Sequence, residues 1–174
     1  MTLLHTEVAV VGGGMVGGAL ALGLAQQGFE VTVIEQAAPP AFDPASKPDV
    51  RISAISAASV DLLRGLGVWE AVLAMRAHPY SRLETWEWEN AHVAFDAAEL
   101  KLPRLGYMVE NNVLQQALWL ALEAHPKVTL RVPASIKALH PHESGYLLTL
   151  DSGTGVQQQH VRFFRIFSQL VSVG

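Results

Sequence analysis

Apolar positions along this chain follow two periods, and the switches between them mark its elements. Val8, Val10 and Val11 form a short β-branched run, the composition of a buried strand. From Met15 to about Gln27 the chain becomes a helix-compatible apolar segment, and it turns at Gly28. Val31-Thr32-Val33-Ile34 then predicts a second strand, ending on Glu35. Pro39, Pro40, Pro44 and Pro48 fall between Gln36 and Asp49, which excludes a helix or central strand and predicts an exposed loop. After Arg51 to Ile55, Ser56 is placed to cap a helix with Val60, Leu62 and Leu63 on its buried side. Gly65 and Gly67 close that helix, and a second short one runs from about Val68 to Ala77 until Pro79 interrupts it.

Leu83, Thr85, Trp86 and Trp88, a turn at Glu89-Asn90, and a second run from His92 to Phe95 predict a β-hairpin. Gly106 to Val109 reads as a further strand. Asn111 to Ala124 reads as a helix with Leu114, Leu118 and Ala121 on one face, stopped by Pro126. Val128 to Val132, Ser135 to Leu139 and Tyr146 to Leu150 are three more short strands. Taken together the pattern is α/β, with no internal repeat.

The first strand ends in Gly12-x-Gly14-x-x-Gly17, and each residue type has a physical task there. Gly12 lets the chain leave the strand in a tight turn. Gly14 has no side chain, so a pyrophosphate can approach the backbone N–H groups at the positive end of the helix. Gly17 lets helix and strand pack closely. Glu35 stands 21 positions after Gly14, where a carboxylate can accept hydrogen bonds from the hydroxyls of an adenosine ribose. A glycine-rich turn in an ordinary βαβ unit would leave Glu35 unexplained, so the stretch points to dinucleotide binding.

Composition narrows the field. At 174 residues, with 50% hydrophobic and 16% charged, the chain can bury one core and part of a second and is not disordered. A net charge of −4 gives no electrostatic footprint for nucleic acid. Without cysteine there is no disulfide, thiolate nucleophile or zinc–thiolate site. Met1 to Thr6 carry no positively charged n-region of a signal peptide. Met15 to Leu24 is too short and glycine-rich to span a bilayer. The expectation is a soluble, cytoplasmic chain.

The remaining candidates carry bland readings beside the sharp ones. Arg51 could offer two donors to a pyrophosphate or ribityl chain, or be a surface arginine paired with Asp49; the pattern does not separate the two. Trp86 and Trp88, at i and i+2 on one strand face, could line an aromatic cavity, but core packing is the better reading. Glu84, Glu87 and Glu89 suggest paired carboxylates, yet a solvated face explains most of them. His140-Pro141-His142 reads as a turn rather than a metal site, and no catalytic residue can be named. With no nucleophile arrangement such as Gly-x-Ser-x-Gly, any chemistry belongs to a cofactor.

Several stretches together resemble a known family. Val8 to Gly18, Val33 to Gln36, Arg51 to Ser56 and Gly67-Val68-Trp69 are similar to the flavin-dependent aromatic hydroxylases of bacterial ubiquinone biosynthesis. Leu83 to Glu89, Gly106 to Asn111 and Val113 to Trp119 narrow the likeness to the members acting on a 2-polyprenyl-3-methyl-6-methoxy-1,4-benzoquinol. The resemblance runs from about Thr6 to Gly153. It implies a Rossmann-like FAD-binding domain, a parallel sheet with flanking helices, over residues 1–153. A β-hairpin inserted at 82–96 would belong to a substrate domain. It implies FAD as cofactor, held by Gly12, Gly14, Gly17, Glu35, Arg51 and Asn111, the last two against the phosphate and ribityl region. It further implies NAD(P)H as reductant, O2 and a polyprenyl benzoquinol as substrates, and peripheral membrane contact in the full-length protein.

Residues 154–174 depart from that family. Gln157-Gln158-Gln159 lead into Arg162, Phe163, Phe164, Arg165 and Phe167, three of the six phenylalanines of the chain. The Ala-Asp-Gly turn and the later Gly-Asp segment of the family are absent, and the expectation is a truncated hydroxylase, inactive alone. An amphipathic terminal helix or strand is the other reading of this tail. Two functional alternatives stay open: an NAD-binding Rossmann module and a non-catalytic remnant.

Overall fold

The computed structural model describes residues 4–88, 91–153 and 155–166; the predicted turn at Glu89-Asn90, and Phe167, lie outside them. In chain order the elements begin β1 (Leu4–Val11), α1 (Met15–Gln26), β2 (Val31–Ile34), β3 (Ile52–Ser56), α2 (Ala57–Gly65), α3 (Trp69–Met75) and β4 (His78–Tyr80). There follow β5 (Arg82–Glu87), β6 (Ala91–Asp96), β7 (Gly106–Glu110), α4 (Asn111–Ala124), β8 (Val128–Arg131), β9 (Ser135–His142), β10 (Gly145–Asp151) and β11 (Val156–Ile166). The chain forms two compact units, Met1–Ala41 with Gln115–Gly174, and Phe42–Leu114.

The first unit is built on a sheet ordered β8-β2-β1-β11-β10-β9. Pairings β8–β2, β2–β1 and β1–β11 are parallel, and β11–β10 and β10–β9 are antiparallel. The fold is therefore α/β and Rossmann-like in its βαβ start. All four residues of β2 are buried, as an apolar run covered on both faces requires. Ala9, Ile34, Ala134, Leu148, Leu150 and Val161 pack into one cluster. Helix α1 buries Gly17, Gly18, Ala21, Leu22 and Ala25. No helix among the described residues is long and apolar enough to cross a membrane.

The second unit holds the antiparallel sheet β3-β7-β4 and the hairpin β5–β6. Ser56 caps α2 as its position predicts, its hydroxyl accepting the Ser59 N–H at 3.3 Å. Trp69 is fully buried, with its ring edge-on to Tyr107 at 4.9 Å between centroids.

Several expectations are corrected. Leu62 is 61% exposed while Val60 and Leu63 are buried, because the buried stripe of α2 follows i, i+3 and Leu62 falls off it. Trp86 and Trp88 are not core residues: they are 70% and 87% exposed. They do not share a strand face either, since β5 ends at Glu87 and Trp88 turns away with φ 61°. Pro79 does not merely break a helix. It sits in β4, at the edge of its sheet, where a missing N–H costs no ladder bond. His140-Pro141-His142 is the end of edge strand β9 rather than a turn. Residues 156–166 of the Gln- and Arg-containing tail form β11, between β1 and β10.

Candidate functional site

The glycine-rich link between β1 and α1 is shaped by what its neighbours leave no room for. Gly12 has φ +98°, a conformation that favours glycine, and its N–H continues the β1–β2 ladder to the Ile34 carbonyl at 2.9 Å. A Cβ on Gly17 would lie 2.0 Å from the Gly12 carbonyl oxygen, so the first turn of α1 rests directly against the end of β1. Gly14 is the N-cap of α1, extended at φ −70° and ψ −174°, and no side chain caps the helix. The first N–H groups of a helix have no carbonyl behind them. Here neither a capping side chain nor a first-turn acid takes their place, which leaves the partial positive charge of α1 uncompensated by its own residues.

Gly13, an unspecified position of the fingerprint, is closely packed as well. A Cβ there would come within 2.7 Å of the Trp119 ring. The indole of Trp119 is held from α4 by its Nε1–H donating to Glu123 Oε1 at 2.8 Å. Gln115 Nε2 reaches the Gly13 carbonyl at 3.4 Å. The signal was in the sequence as three consecutive glycines, but their partner lies more than a hundred residues on.

Glu35 directly follows β2 and closes the loop electrostatically. Its Oε2 accepts the Gly13 N–H at 2.6 Å, and its Oε1 accepts the Gln36 N–H at 2.7 Å, with Ala37 N–H at 3.4 Å. The carboxylate is thus oriented by backbone donors and remains half-buried. Each carboxylate oxygen can accept two hydrogen bonds, so it keeps capacity for hydroxyl donors.

Arg51 and Asn111 belong to the second unit, in a separate network. Asp49 Oδ1 accepts the backbone N–H of Arg51 at 3.0 Å, and the Arg51 carbonyl accepts the Asn111 N–H at 2.9 Å. The anticipated Arg51–Asp49 pairing is therefore a main-chain contact. The Arg51 guanidinium is exposed, with no hydrogen bond or ion pair among the described residues. Asn111 opens α4, and its Oδ1 accepts the Ser53 hydroxyl at 2.6 Å. With the oxygen committed, the amide presents its NH2 as a donor. Two residues carrying donor groups, one of them cationic, thus lie just beyond the Ile52–Glu110 pair that ends the β3–β7 ladder.

Pattern reading missed the pair behind them. Glu110, 5% exposed, accepts from Arg76 Nη1 at 2.9 Å and from the Asp49 N–H at 2.7 Å. Arg76 Nη2 also donates to the Ser46 carbonyl at 2.9 Å. Nothing in local periodicity joins residues 34 apart.

Of the hairpin carboxylates, Glu84 and Glu87 lie on opposite faces of β5 and do not pair with each other. Arg82, Glu84 and Trp86 share one face of β5, and Arg82 hydrogen-bonds Glu84 and lies 3.4 Å from Asp96. His92 Nε2 lies 3.3 Å from Glu84. The Arg82 hydrogen bond holds the Glu84 carboxyl below its ordinary range. Glu87 points to the opposite face, and Glu89 lies outside the described residues. Leu83, Val93 and Phe95 form the apolar side of the hairpin and are 40%, 51% and 51% exposed.

Residues 5–162 match the protein family described as FAD binding domain, and the chain belongs to that family. FAD is accordingly its cofactor. The chain is 72% identical over 161 residues to the 3-demethoxyubiquinol 3-hydroxylase of Escherichia coli K12, covering 92% of this chain and 41% of that protein. It is 36% identical over 156 residues to the ubiquinone hydroxylase UbiL of Rhodospirillum rubrum, covering 89% and 36%. It therefore spans well under half the length of either relative. Among solved structures, p-nitrophenol 4-monooxygenase PnpA of Pseudomonas putida superposes with a TM-score of 0.73 at 18% identity, over 97% of this chain and 42% of that one. At that identity the likeness speaks for the fold.

Proposed function

We propose that this chain is the FAD-binding portion of a monooxygenase that hydroxylates the ring of a polyprenyl benzoquinol in ubiquinone biosynthesis. The observation that carries the reading is the Glu35 carboxylate locked onto Gly13 beside an uncapped helix N-terminus, in a chain 72% identical to a ubiquinol hydroxylase. When bound, FAD would supply the redox chemistry, with electrons drawn from NAD(P)H and O2 divided between a hydroxyl on the ring and water.

The residues present fit such a cofactor. Gly12, Gly14 and Gly17 leave the α1 N-terminus accessible to a pyrophosphate, which the aligned N–H groups favour. Glu35 accepts the ribose hydroxyls of the adenosine half and repels a 2′-phosphate. Arg51 and the Asn111 NH2 have the polarity for phosphate and ribityl oxygens. The exposed apolar side of the hairpin suits a substrate-facing sheet, and peripheral contact with a membrane would serve a polyprenyl substrate.

Calorimetric titration with ADP, FAD and NAD tests the reading. FAD should bind with visible flavin colour and more tightly than NAD. Charge-assisted hydrogen bonds are worth about 1.5–3 kcal/mol each, so Glu35→Ala should weaken ADP and FAD roughly ten- to a hundredfold. Unchanged affinity for both would remove Glu35 from the site.

A further inference from the structure

We propose that Arg76 and Glu110 are positioning residues for Arg51, an ion pair that fixes the backbone from which that guanidinium reaches the cofactor. The inference rests on the reading of Arg51 as a cofactor contact.

The pair gathers a segment that has little order of its own. Between Phe42 and Asp49 the local hydrogen bonds are those of one turn, Asp43 accepting from Ala45 and Ser46. Arg76 binds across that turn: its guanidinium lies 5.2 Å from the Phe42 ring centroid, and Nη2 donates to the Ser46 carbonyl at 2.9 Å, with the Pro44 carbonyl at 3.5 Å. Its other arm, Nη1, reaches Glu110 at 2.9 Å. The second Glu110 oxygen takes the Asp49 N–H at 2.7 Å. From there the chain of bonds runs on without a gap, from the Asp49 carboxylate to the Arg51 N–H, and from the Arg51 carbonyl to the N–H of Asn111, the neighbour of Glu110.

Arg51 is therefore held through its N–H and its carbonyl, and both holds lead back to the end of β7. Its side chain has no such hold among the described residues. That combination suits a ligand-binding arginine: a backbone fixed in advance and a charged group left for something else. Glu110 cannot itself serve a ligand, because both its oxygens are engaged and its side chain is 6% exposed. A buried ion pair is weak evidence for stability, since desolvation offsets much of its attraction. What this one supplies is the fixed relation of Ser46, Asp49 and Arg51 to β7.

The test is a double-mutant cycle read by flavin fluorescence titration, with amide hydrogen exchange beside it. Arg76→Lys keeps a charge for Glu110 but loses the second arm to Ser46. It should weaken FAD about tenfold, one charge-assisted bond's worth, and speed exchange at the Asp49 and Arg51 amides. Arg76→Lys with Arg51→Ala should bind FAD no worse than Arg51→Ala alone, as expected of groups acting through one another. Losses that add in full would overturn the proposal, as would wild-type protection of both amides. Wild-type FAD affinity in Arg76→Lys beside a weakened Arg51→Ala would overturn it while leaving the role of Arg51 standing. Wild-type affinity in Arg51→Ala would overturn that role, and the proposal with it. Should Arg76→Lys not fold, Glu110→Gln, which keeps the side-chain volume and one acceptor oxygen, closes the same cycle.

Discussion

Glu35 and Glu110 are two carboxylates at strand ends that have been given opposite surroundings. Each receives a backbone N–H from a distant loop, Glu35 from Gly13 and Glu110 from Asp49. Beyond that they diverge. Glu110 is buried and its charge is met by a guanidinium, whereas Glu35 is half-buried and has only N–H donors around it among the described residues. A carboxylate closed by a cation holds structure, and one steadied by amides but still in reach of solvent can serve a ligand. The difference lies in the surroundings, since both are simply glutamates at the end of a valine-containing strand.

The largest effect that could break this contrast is on stability. Glu110→Ala would leave the Arg76 charge, 29% exposed, without its partner, and removing one side of a buried pair costs about 3–5 kcal/mol. Glu35→Ala strands no opposite charge and should cost far less. Urea denaturation of the two variants checks this, and equal shifts in midpoint would mean that the two carboxylates do the same job.

Next comes the frame that Glu35 holds. Gly17→Ala should gain about 1 kcal/mol of helix propensity, yet its Cβ would sit 2.0 Å from the Gly12 carbonyl oxygen. Overpacking of that kind costs about 1–3 kcal/mol and moves the backbone. The net result should be a lower melting temperature together with loss of ADP binding. A stabilised variant that still binds ADP would show the loop to be slack.

A smaller change sharpens the comparison. Glu35→Gln keeps one acceptor oxygen for Gly13 but loses the charge and the second acceptor. It should retain most of the wild-type melting temperature while binding ADP roughly tenfold more weakly, as calorimetry would show. The smallest effect belongs to the hairpin. Trp86→Ser, at a side chain 70% exposed, should change stability by no more than about 0.5 kcal/mol. A greater loss in urea denaturation would mean that the indole is packed after all.

Legibility in the sequence follows how local each cause is. The β1–α1–β2 start, the Ser56 cap and the bounds of α4 could be read directly, because strand composition, capping and helical period act within a few residues. FAD as cofactor was legible from the spacing of Gly12, Gly14, Gly17 and Glu35 together with the family likeness, now matched over residues 5–162. Gly13 against Trp119, and Arg76 with Glu110, were not legible, since each depends on tertiary contacts that no period encodes. Trp86 and Trp88 were misread because an aromatic residue in an alternating run says which side it faces only when the turn is known, and β5 stops one residue before Trp88. A strand was one of the two conformations read for the tail, but the inner place of β11 was hidden for a different reason: Gln159 is 2% exposed in a strand flanked on both sides. Composition would not choose a glutamine for that place.

The place of β11 bears on how the protein is made. β1 pairs with β2 within the first 34 residues, but its other neighbour is the strand Val156–Ile166. At a synthesis rate of about 5–20 residues per second, the far edge of β1 stays open for roughly 7–26 s after β2 has emerged. An apolar strand edge exposed for that long can pair with a neighbouring chain. The nascent chain should therefore be most prone to associate before β11 is made, and chains stalled on the ribosome short of residue 156 should sediment as aggregates more readily than chains that include it.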